Sequence, residues 1–318
     1  MVRTRTVCTV ASDPHHPLQV LVNIVGDLLL CPHLGLVGAA AATSAAQAVL
    51  FGFLFFKLRA RGLVPTDLFR VGGRDSWERI RKTTRMVLPT SLLTLMRTSL
   101  YAVLSFWCCQ MGIVSAAAQQ IAATMFWGST GAAGEPMSAV AQSYVPARYE
   151  AWRVAAQQAS DAAEMEDDKA SVAAKLRLEQ ARQGLVTTIA RLFRTSLFFG
   201  GAVLACVVHV TAAGPLQSFP PNALVIAQVP RWPLVAIAGI CPFALLCEGT
   251  LLSFGARSEL VRNLACGVSL SLGLGALLMS RGLGTVNSIW CVAAGFQVWR
   301  FLSNAFVLRQ KMRAPPPI

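Results

Sequence analysis

Long apolar blocks alternate with short polar segments along most of this chain of 318 residues. A helix needs roughly 20 mostly apolar residues to cross about 30 Å of hydrocarbon. The pattern therefore predicts eight spans, at about 17–31, 34–56, 86–109, 114–145, 184–210, 230–255, 258–280 and 285–308. The first is short for a span, and the fourth is so long that it must tilt, bend or project. The predicted fold class is all-α, a polytopic membrane helix bundle.

Composition and charge agree with this prediction. Apolar residues make up 54% of the chain and charged residues only 14%, whereas soluble domains carry about 25% charged residues. Of the 28 Lys and Arg residues, 24 fall in the alternate loops 1–16, 57–85, 146–194, 256–262 and from 309 onward. The positive-inside rule then places both termini on the cytoplasmic side, or on the stromal side in a plastid.

The net charge of +13 is thus explained by topology and by contact with the anionic headgroups of the lipid bilayer. Nucleic acid is not expected as a partner, because the basic loops lack interleaved aromatic residues and binding motifs.

The polar segments outside the spans are predicted to be extramembrane. Residues 1–16 form an N-terminal segment, 57–85 a basic connector, and 309–318 a tail. Residues 146–183 are rich in Ala, Gln and mixed charge, which favours a solvated helical insertion. Their charges fall on all sides of a helix, so the insertion is not an in-plane membrane helix.

Five ionisable residues lie inside predicted spans, where charge is costly and each such residue is a functional candidate. They are Asp27, Arg97, Glu135, Glu248 and Arg300. Arg300 is near the end of its span and is expected to act as a snorkelling anchor. For the others, the alternative is a structural ion pair of Arg97 with one carboxylate. A carboxylate in low dielectric takes up a proton more readily, which is the property that a proton-coupled transporter needs.

The surroundings of Glu135 make it the strongest candidate. Gly128, Gly131 and Gly134 recur at spacing three, which predicts a small-residue face that another helix approaches closely. Pro136 removes a backbone hydrogen bond, so Gly134 and Pro136 predict a helix break. Broken helices at membrane depth lie inside protein or beside a cavity, and transporters build midplane sites from them.

Other residue types add polar candidates but no catalytic or metal site. Gln142 shares the helix face of Glu135, while Gln119 and Gln120 are suited to solute contact or to helix–helix hydrogen bonds. The nine Cys show no CxxC spacing and the four His are scattered, so neither a disulfide framework nor a metal site is predicted. No nucleophile, base and orienting group fall together on a loop, so the protein is not expected to be an enzyme.

From about residue 12 to 308, apart from the insertion at 150–183, the sequence resembles the multidrug and toxic compound extrusion (MATE) family of transporters. Residues 12–47, which include Asn23 and Asp27, resemble the region around the family's fifth and sixth helices. Residues 111–149 resemble the eighth helix of the plastid-envelope branch of plant MATE proteins, a branch that includes a salicylate exporter. The branch pattern GEP-x-S-x-x-x-Q-S-x-x-P is matched at Gly134, Glu135, Pro136, Ser138, Gln142, Ser143 and Pro146. Residues 248–252 (EGTLL) resemble its tenth-helix motif.

This resemblance implies a secondary active antiporter that exports organic solutes, with aromatic carboxylates as one class. Alternating access of two lobes would be coupled to a proton or Na⁺ gradient. Residues 17–56 would be two helices of a partial first lobe, 86–145 the first two helices of a complete second lobe, and 184–308 its last four. The eight spans would thus correspond to helices five to twelve of the family's twelve.

The resemblance also sets expectations for the site, the partners and the membrane. The candidates for substrate or ion coupling are Glu135, Glu248, Arg97, Asp27, Asn23, Gln119, Gln120 and Gln142. A small organic solute and the lipid bilayer are the expected partners, and no cofactor is expected besides the coupling ion. The plastid envelope is the expected membrane, with the plasma or vacuolar membrane as alternatives.

Departures from the family pattern open alternatives. Helices one to four have no counterpart, so we expect an N-terminally incomplete chain. It would then be a truncated product, or a half-transporter that needs a partner supplying the missing N-terminal half and does not transport alone. Ala117-Ala118-Gln119-Gln120 stands where the branch has Ala-Ala-His-Gln, which removes a titratable group. Arg97 replaces a Lys and keeps the positive charge. A lipid flippase is a further alternative, against which the GEP motif argues.

Overall fold

A computed structural model describes residues 16–62, 74–164, 168–212 and 223–313. Every regular element in these ranges is helical. The elements are α1 (His16–Leu34), α2 (Leu36–Ala60), α3 (Arg74–Gln110), α4 (Ile113–Ser129), a π-helical turn (Thr130–Gly134), α5 (Glu135–Glu164), α6 (Asp168–Ala212), α7 (Ala223–Gln228), α8 (Arg231–Ser253), α9 (Arg257–Ser280) and α10 (Val286–Arg313). The N-terminal segment before residue 16, the middle of the basic connector and the last five residues of the tail lie outside the described residues.

Six of the described helices are long and apolar enough to cross a membrane: Val37–Ala60, Val87–Gln110, Ser171–Ala212, Arg231–Ser253, Arg257–Ser280 and Val286–Arg313. They overlap the second, third, fifth, sixth, seventh and eighth predicted spans. This is the architecture of an integral multi-pass membrane protein. The first predicted span corresponds to α1, whose apolar part, Leu21–Leu34, is shorter than a full crossing.

The fourth predicted span lies in a continuous helical run that changes its hydrogen-bond pattern in the middle. Helix α4 leads into the π-helical turn, and α5 begins directly after it at Glu135. Pro136, the second residue of α5, has no backbone N–H to donate to the preceding turn. A π turn holds one residue more than an α turn and is frequent at functional sites. The helix is therefore irregular immediately before the Glu135 carboxylate.

The predicted insertion at 146–183 is built from extensions of its two neighbouring helices. Helix α5 continues to Glu164, and α6 begins at Asp168 and runs for 45 residues. At 1.5 Å per residue, α6 is about 68 Å long, more than twice the hydrocarbon thickness. The two helices pack along each other, and Trp152, Ala155 and Ala174 are buried.

The chain divides into two compact units, residues 1–83 and 84–318. In the first unit α1 and α2 form a helical pair with small residues at their contact. Gly26 lies against Ala42, and Gly38 lies against the backbone of Leu30. Ala42 and Ala46 are buried, whereas large apolar side chains such as Leu28 and Phe51 are exposed. Small residues at the contact let the two backbones approach closely.

In the second unit α8 is the central helix. It packs against α5, α6 and α10, and α9 packs against α10. Ile237, Leu245, Leu246 and Leu251 of α8 are essentially inaccessible to solvent. A helix that is apolar on every side is buried on every side, so the composition of α8 explains its position. The acidic residue of this helix, Glu248, is thereby carried into the interior.

Glycines fix the closest approaches in this unit. A Cβ atom built on Gly249 would lie 2.6 Å from the backbone oxygen of Ser138 on α5, and Gly134 lies directly under Leu245 of α8. The small-residue face expected from three glycines is therefore wrong in part. Nothing lies within 4 Å of a Cβ atom at Gly128 or Gly131, because only the last glycine of the series faces α8.

We expect Gly249→Ala to destabilise the protein by about 1–3 kcal/mol, because the added methyl group would force α5 and α8 apart. Thermal unfolding in detergent, followed by tryptophan fluorescence, measures this effect. Gly273→Ala on α9 is the control, since its Cβ atom would meet nothing within 4 Å. Equal unfolding temperatures for the two variants would contradict the close contact.

Candidate functional site

A concave surface of the second unit runs along one face of α3. This groove of about 900 Å³ is lined by Val87, Leu88, Thr90, Ser91, Leu92, Thr94, Leu95, Thr98 and Arg257. Its four hydroxyl residues recur at spacings of one to four residues, which places them on a single helix face. Apolar walls with a few polar groups are typical of sites for small organic ligands.

A second cavity extends this groove toward α5 and α8. It has a volume of about 260 Å³ and is lined by Thr90, Gln142, Pro146, Leu252, Ser253 and Arg257. Thr90 and Arg257 line both spaces, so the two form one continuous surface, which we call the α3 groove. Gln142, a candidate from the sequence, therefore lies at the groove, where its amide also donates to the hydroxyl of Ser138 at 3.2 Å.

Arg97 and Glu135 form a loose ion pair. The Arg97 Nη2 and Glu135 Oε1 atoms are 3.8 Å apart, beyond hydrogen-bonding distance. The Arg97 side chain is 19% exposed, but that of Glu135 is 53% exposed. Arg97 follows Thr94 by one helical turn and directly precedes Thr98, and both threonines line the α3 groove. The pairing of Arg97 with a carboxylate, one of the two explanations open from the sequence, is thus found in the structure.

Glu248 and Arg300 form a second pair that is tight and buried. The Nε atom of Arg300 donates to Glu248 Oε2 at 2.8 Å, and Arg300 Nη2 donates to the same oxygen. The Arg300 side chain is only 3% exposed and that of Glu248 15%. The expectation that Arg300 snorkels to the interface is therefore wrong, because its guanidinium reaches inward to a carboxylate on α8.

Arg300 connects this pair to α3 through two further side chains. Its Nη1 atom donates to Gln297 Oε1 at 3.4 Å, and Gln297 Nε2 donates to the Tyr101 hydroxyl oxygen at 2.8 Å. The Tyr101 ring packs against Phe126 and Trp127, with centroids 4.6 and 5.6 Å away. Sequence analysis missed Gln297 and Tyr101. The available signal was the spacing of Gln297, Arg300 and Asn304, which places three polar residues on one face of α10.

Gln119 lies in another buried polar bridge. Its Oε1 accepts from the Trp290 indole N–H at 2.6 Å, and its Nε2 donates to the Ser105 hydroxyl at 2.9 Å. It thereby links α4 to α10 and to α3. Gln120, the next residue, is exposed and provides no such link. Of the two roles open from the sequence, Gln119 thus has helix–helix hydrogen bonding.

Cys241 and Tyr101 lie within electrostatic range of charges from both the Arg97–Glu135 and the Arg300–Glu248 pair. The charges of Arg97, Glu135 and Arg300 all act on the Cys241 thiol of α8, and both arginines act on Tyr101. Cys241 also contacts Thr130 of the π-helical turn at 3.5 Å. The second unit thus brings together Glu135, Arg97 and Glu248, with Arg300 as a fourth charge. Among the described residues no group of His, Cys, Asp and Glu could hold a metal ion.

Asn23 and Asp27 belong to the first unit. The Oδ1 atom of Asn23 is buried and has no hydrogen-bond partner among the described residues. Asp27 accepts a long contact from the Cys31 thiol, at 3.8 Å, one turn further along α1. A buried carbonyl oxygen without a partner is costly. Asn23 and Asp27 therefore remain candidates for substrate contact or ion coupling in the first unit.

We expect Gln119→Leu to destabilise the second unit by about 1–3 kcal/mol, because the Trp290 indole and the Ser105 hydroxyl would lose their partner. Gln120→Leu, the same change at the neighbouring exposed position, should leave stability almost unaltered. The unfolding midpoint in detergent, measured for both variants, tests this expectation. A larger loss for Gln120→Leu would rule out the bridge.

No protein-family model matches this chain, and no curated protein or solved structure matches it either. The family resemblance therefore rests on the residues that carry it. The second unit combines a groove with hydroxyl groups and one arginine, the loose Arg97–Glu135 pair, and the tight Arg300–Glu248 pair.

Proposed function

We propose that this protein is a secondary active transporter of the MATE type, which exports organic solutes in exchange for protons or Na⁺. The observation that supports the proposal is a half-exposed carboxylate, Glu135, paired loosely with Arg97 next to the α3 groove. An ionisable group at membrane depth that is not locked in a tight pair is suited to exchange an ion. The GEP resemblance around Glu135 points to the same residue.

The exchange follows from the two charge states of Glu135. When it is ionised, its carboxylate attracts Arg97 on α3 and accepts hydrogen bonds from a solute. A proton cancels that charge, weakens the attraction to Arg97 and removes the acceptor. Antiport requires that proton and solute bind alternately rather than together, since only then does each drive the other out. A solute that donates to ionised Glu135 satisfies this condition.

The α3 groove suggests the class of solute. Its walls offer apolar side chains to a ring or chain, and the hydroxyl groups of Thr90, Ser91 and Thr94 offer hydrogen bonds. Arg257 adds a positive charge that favours a carboxylate. An aromatic carboxylate with a second, hydrogen-bond-donating group matches these features. A proton needs only one carboxylate, whereas a metal cation needs several oxygen ligands, so the proton is the first choice of coupling ion.

The proposal extends to the number of spans and to the membrane. Together α1 to α10 would provide the eight spans that resemble helices five to twelve of the MATE fold, and the plastid envelope is proposed from the branch resemblance. A partner-dependent half-transporter is the second candidate. The division at residue 83 favours it, because residues 84–318 form a compact unit of their own that another chain could face.

We expect Glu135→Gln to abolish proton-coupled efflux while leaving expression and folding intact, because glutamine keeps the shape of the side chain but carries no proton. The assay uses purified protein in lipid vesicles, radiolabelled salicylate as the probe, and an enclosed pH-sensitive dye to detect proton exchange.

The control is Glu150→Gln on the same helix, where the carboxylate is exposed and pairs with Arg153 one turn away. Unchanged proton-driven efflux in Glu135→Gln would exclude Glu135 as the coupling group. Efflux by the wild-type chain alone would exclude the partner-dependent alternative.

Binding of the solute in the α3 groove can be tested separately. Thr94→Trp should raise the KM for salicylate about tenfold, equivalent to about 1.4 kcal/mol of lost binding, because the indole would fill the groove. Thr195→Trp is the matched control, since both hydroxyls bond the backbone four residues earlier and both side chains are exposed. Equal KM values for the two variants would place the solute elsewhere.

A further inference from the structure

The Arg97–Glu135 and Arg300–Glu248 pairs of the second unit differ in solvent exposure and in hydrogen bonding, which both affect whether a carboxylate can exchange a proton. Glu135 is half-exposed, and its one charged contact within the described part of the chain is 3.8 Å away. Glu248 is only 15% exposed, and two N–H groups of Arg300 donate to one of its oxygens. Both acids fall in spans predicted from the sequence, which marked both as coupling candidates, but their surroundings separate them.

Each side of the Arg300 guanidinium has a partner in the interior. Nε and Nη2 bind Glu248 on α8, and Nη1 binds Gln297, which in turn binds Tyr101 on α3. The other charged or titratable groups that act on this region are Cys241 of α8, Arg97 of α3 and Glu135 of α5. From α9, the cavity beside the pair receives apolar side chains and Asn263, which is not titratable.

That cavity gives little access to the pair. It is lined by Glu248, Asn304 and Phe296 among others, and it leaves about 10 Å³ for the centre of a water molecule. This is the least that one water requires. A hydrated ion or an organic solute does not fit there, so Glu248 has no solvent-filled route on this side.

We propose that Arg300 is a positioning residue that fixes Glu248 as the charged half of a neutral pair between α8 and α10, so that proton coupling falls on Glu135 alone. The division of roles rests on the proposed function. The pairing itself does not, because it follows from the contacts of Arg300.

The energetics of buried ion pairs allow two claims to be tested: the pairing of Arg300 with Glu248, and the assignment of proton coupling to Glu135. Removing one partner leaves an uncompensated charge in the interior, whereas replacing both partners by neutral residues of similar size is often tolerated. Arg300→Met should therefore be harmful alone, and the double variant Glu248→Gln/Arg300→Met should recover most of the loss. If Glu248 carried the proton, the double variant would lose coupling instead.

The first measurement is thermal unfolding in detergent, which needs no transport. Arg300→Met should lower the unfolding temperature by about 10 °C at pH 8. The double variant should unfold near the wild-type temperature at the same pH. Arg309→Met, an exposed position on the same helix, is the control. An Arg300→Met variant as stable as Arg309→Met at pH 8 would overturn the pairing.

The second measurement is the pH dependence of salicylate efflux from vesicles. If the Arg300–Glu248 pair is purely structural, removing its charges should not change this dependence. The double variant should keep the wild-type pH profile, whereas Glu135→Gln should lose it. A double variant that folds like the wild type but has lost its pH dependence would overturn the division of roles. Wild-type vesicles without efflux would overturn the proposed function, while the unfolding temperatures would still decide the role of Arg300.

Discussion

Charge in an apolar interior has to be compensated, and this constraint organises the second unit. Glu248 of α8 is only 15% exposed, and its charge is balanced by Arg300 of α10. Arg300 in turn fixes Gln297, and Gln297 holds Tyr101 of α3. Three helices are thus tied together by a single chain of contacts that begins at one carboxylate. Apolar packing alone is less selective, because many rotations of an apolar helix bury similar areas.

Much of the fold could be predicted because apolar run length is a physical requirement of the bilayer. Six of the eight predicted spans correspond to long apolar helices. The extension of α5 and α6 beyond the spans was not predicted as such, since the apolar pattern stops where lipid contact stops, while the helical hydrogen bonds continue. Arg300 was misplaced for a different reason. Its distance from the end of a span suggested an escape to the interface, but a neighbouring helix supplied the compensating charge inside.

The sequence marked several groups of the candidate site, but it did not distinguish their roles. Glu135 and Glu248 look alike as isolated acids in apolar runs, and only neighbours from other helices make one loosely and the other tightly paired. Gln119 and Gln120 are adjacent in sequence, yet one is buried between two helices and the other is exposed. The position of helix α3 also depends on side chains of other helices. Within the described residues its backbone stays farther from its neighbours than those of the other long helices of this unit, and it is held through Tyr101 and Ser105.

The π-helical turn before Glu135 has a consequence for motion. Each residue of an α-helix rotates the next side chain by about 100° around the axis, so an extra residue in one turn re-aims everything beyond it. Such a turn can move along a helix, because the hydrogen bonds broken on one side are replaced on the other. Passage of this surplus residue past Glu135 would swing its carboxylate from Arg97 toward another side of α5 while both helix ends stay in place. Because the π-helical turn ends at Gly134, directly before Glu135, its extra residue sets which side of α5 the carboxylate faces.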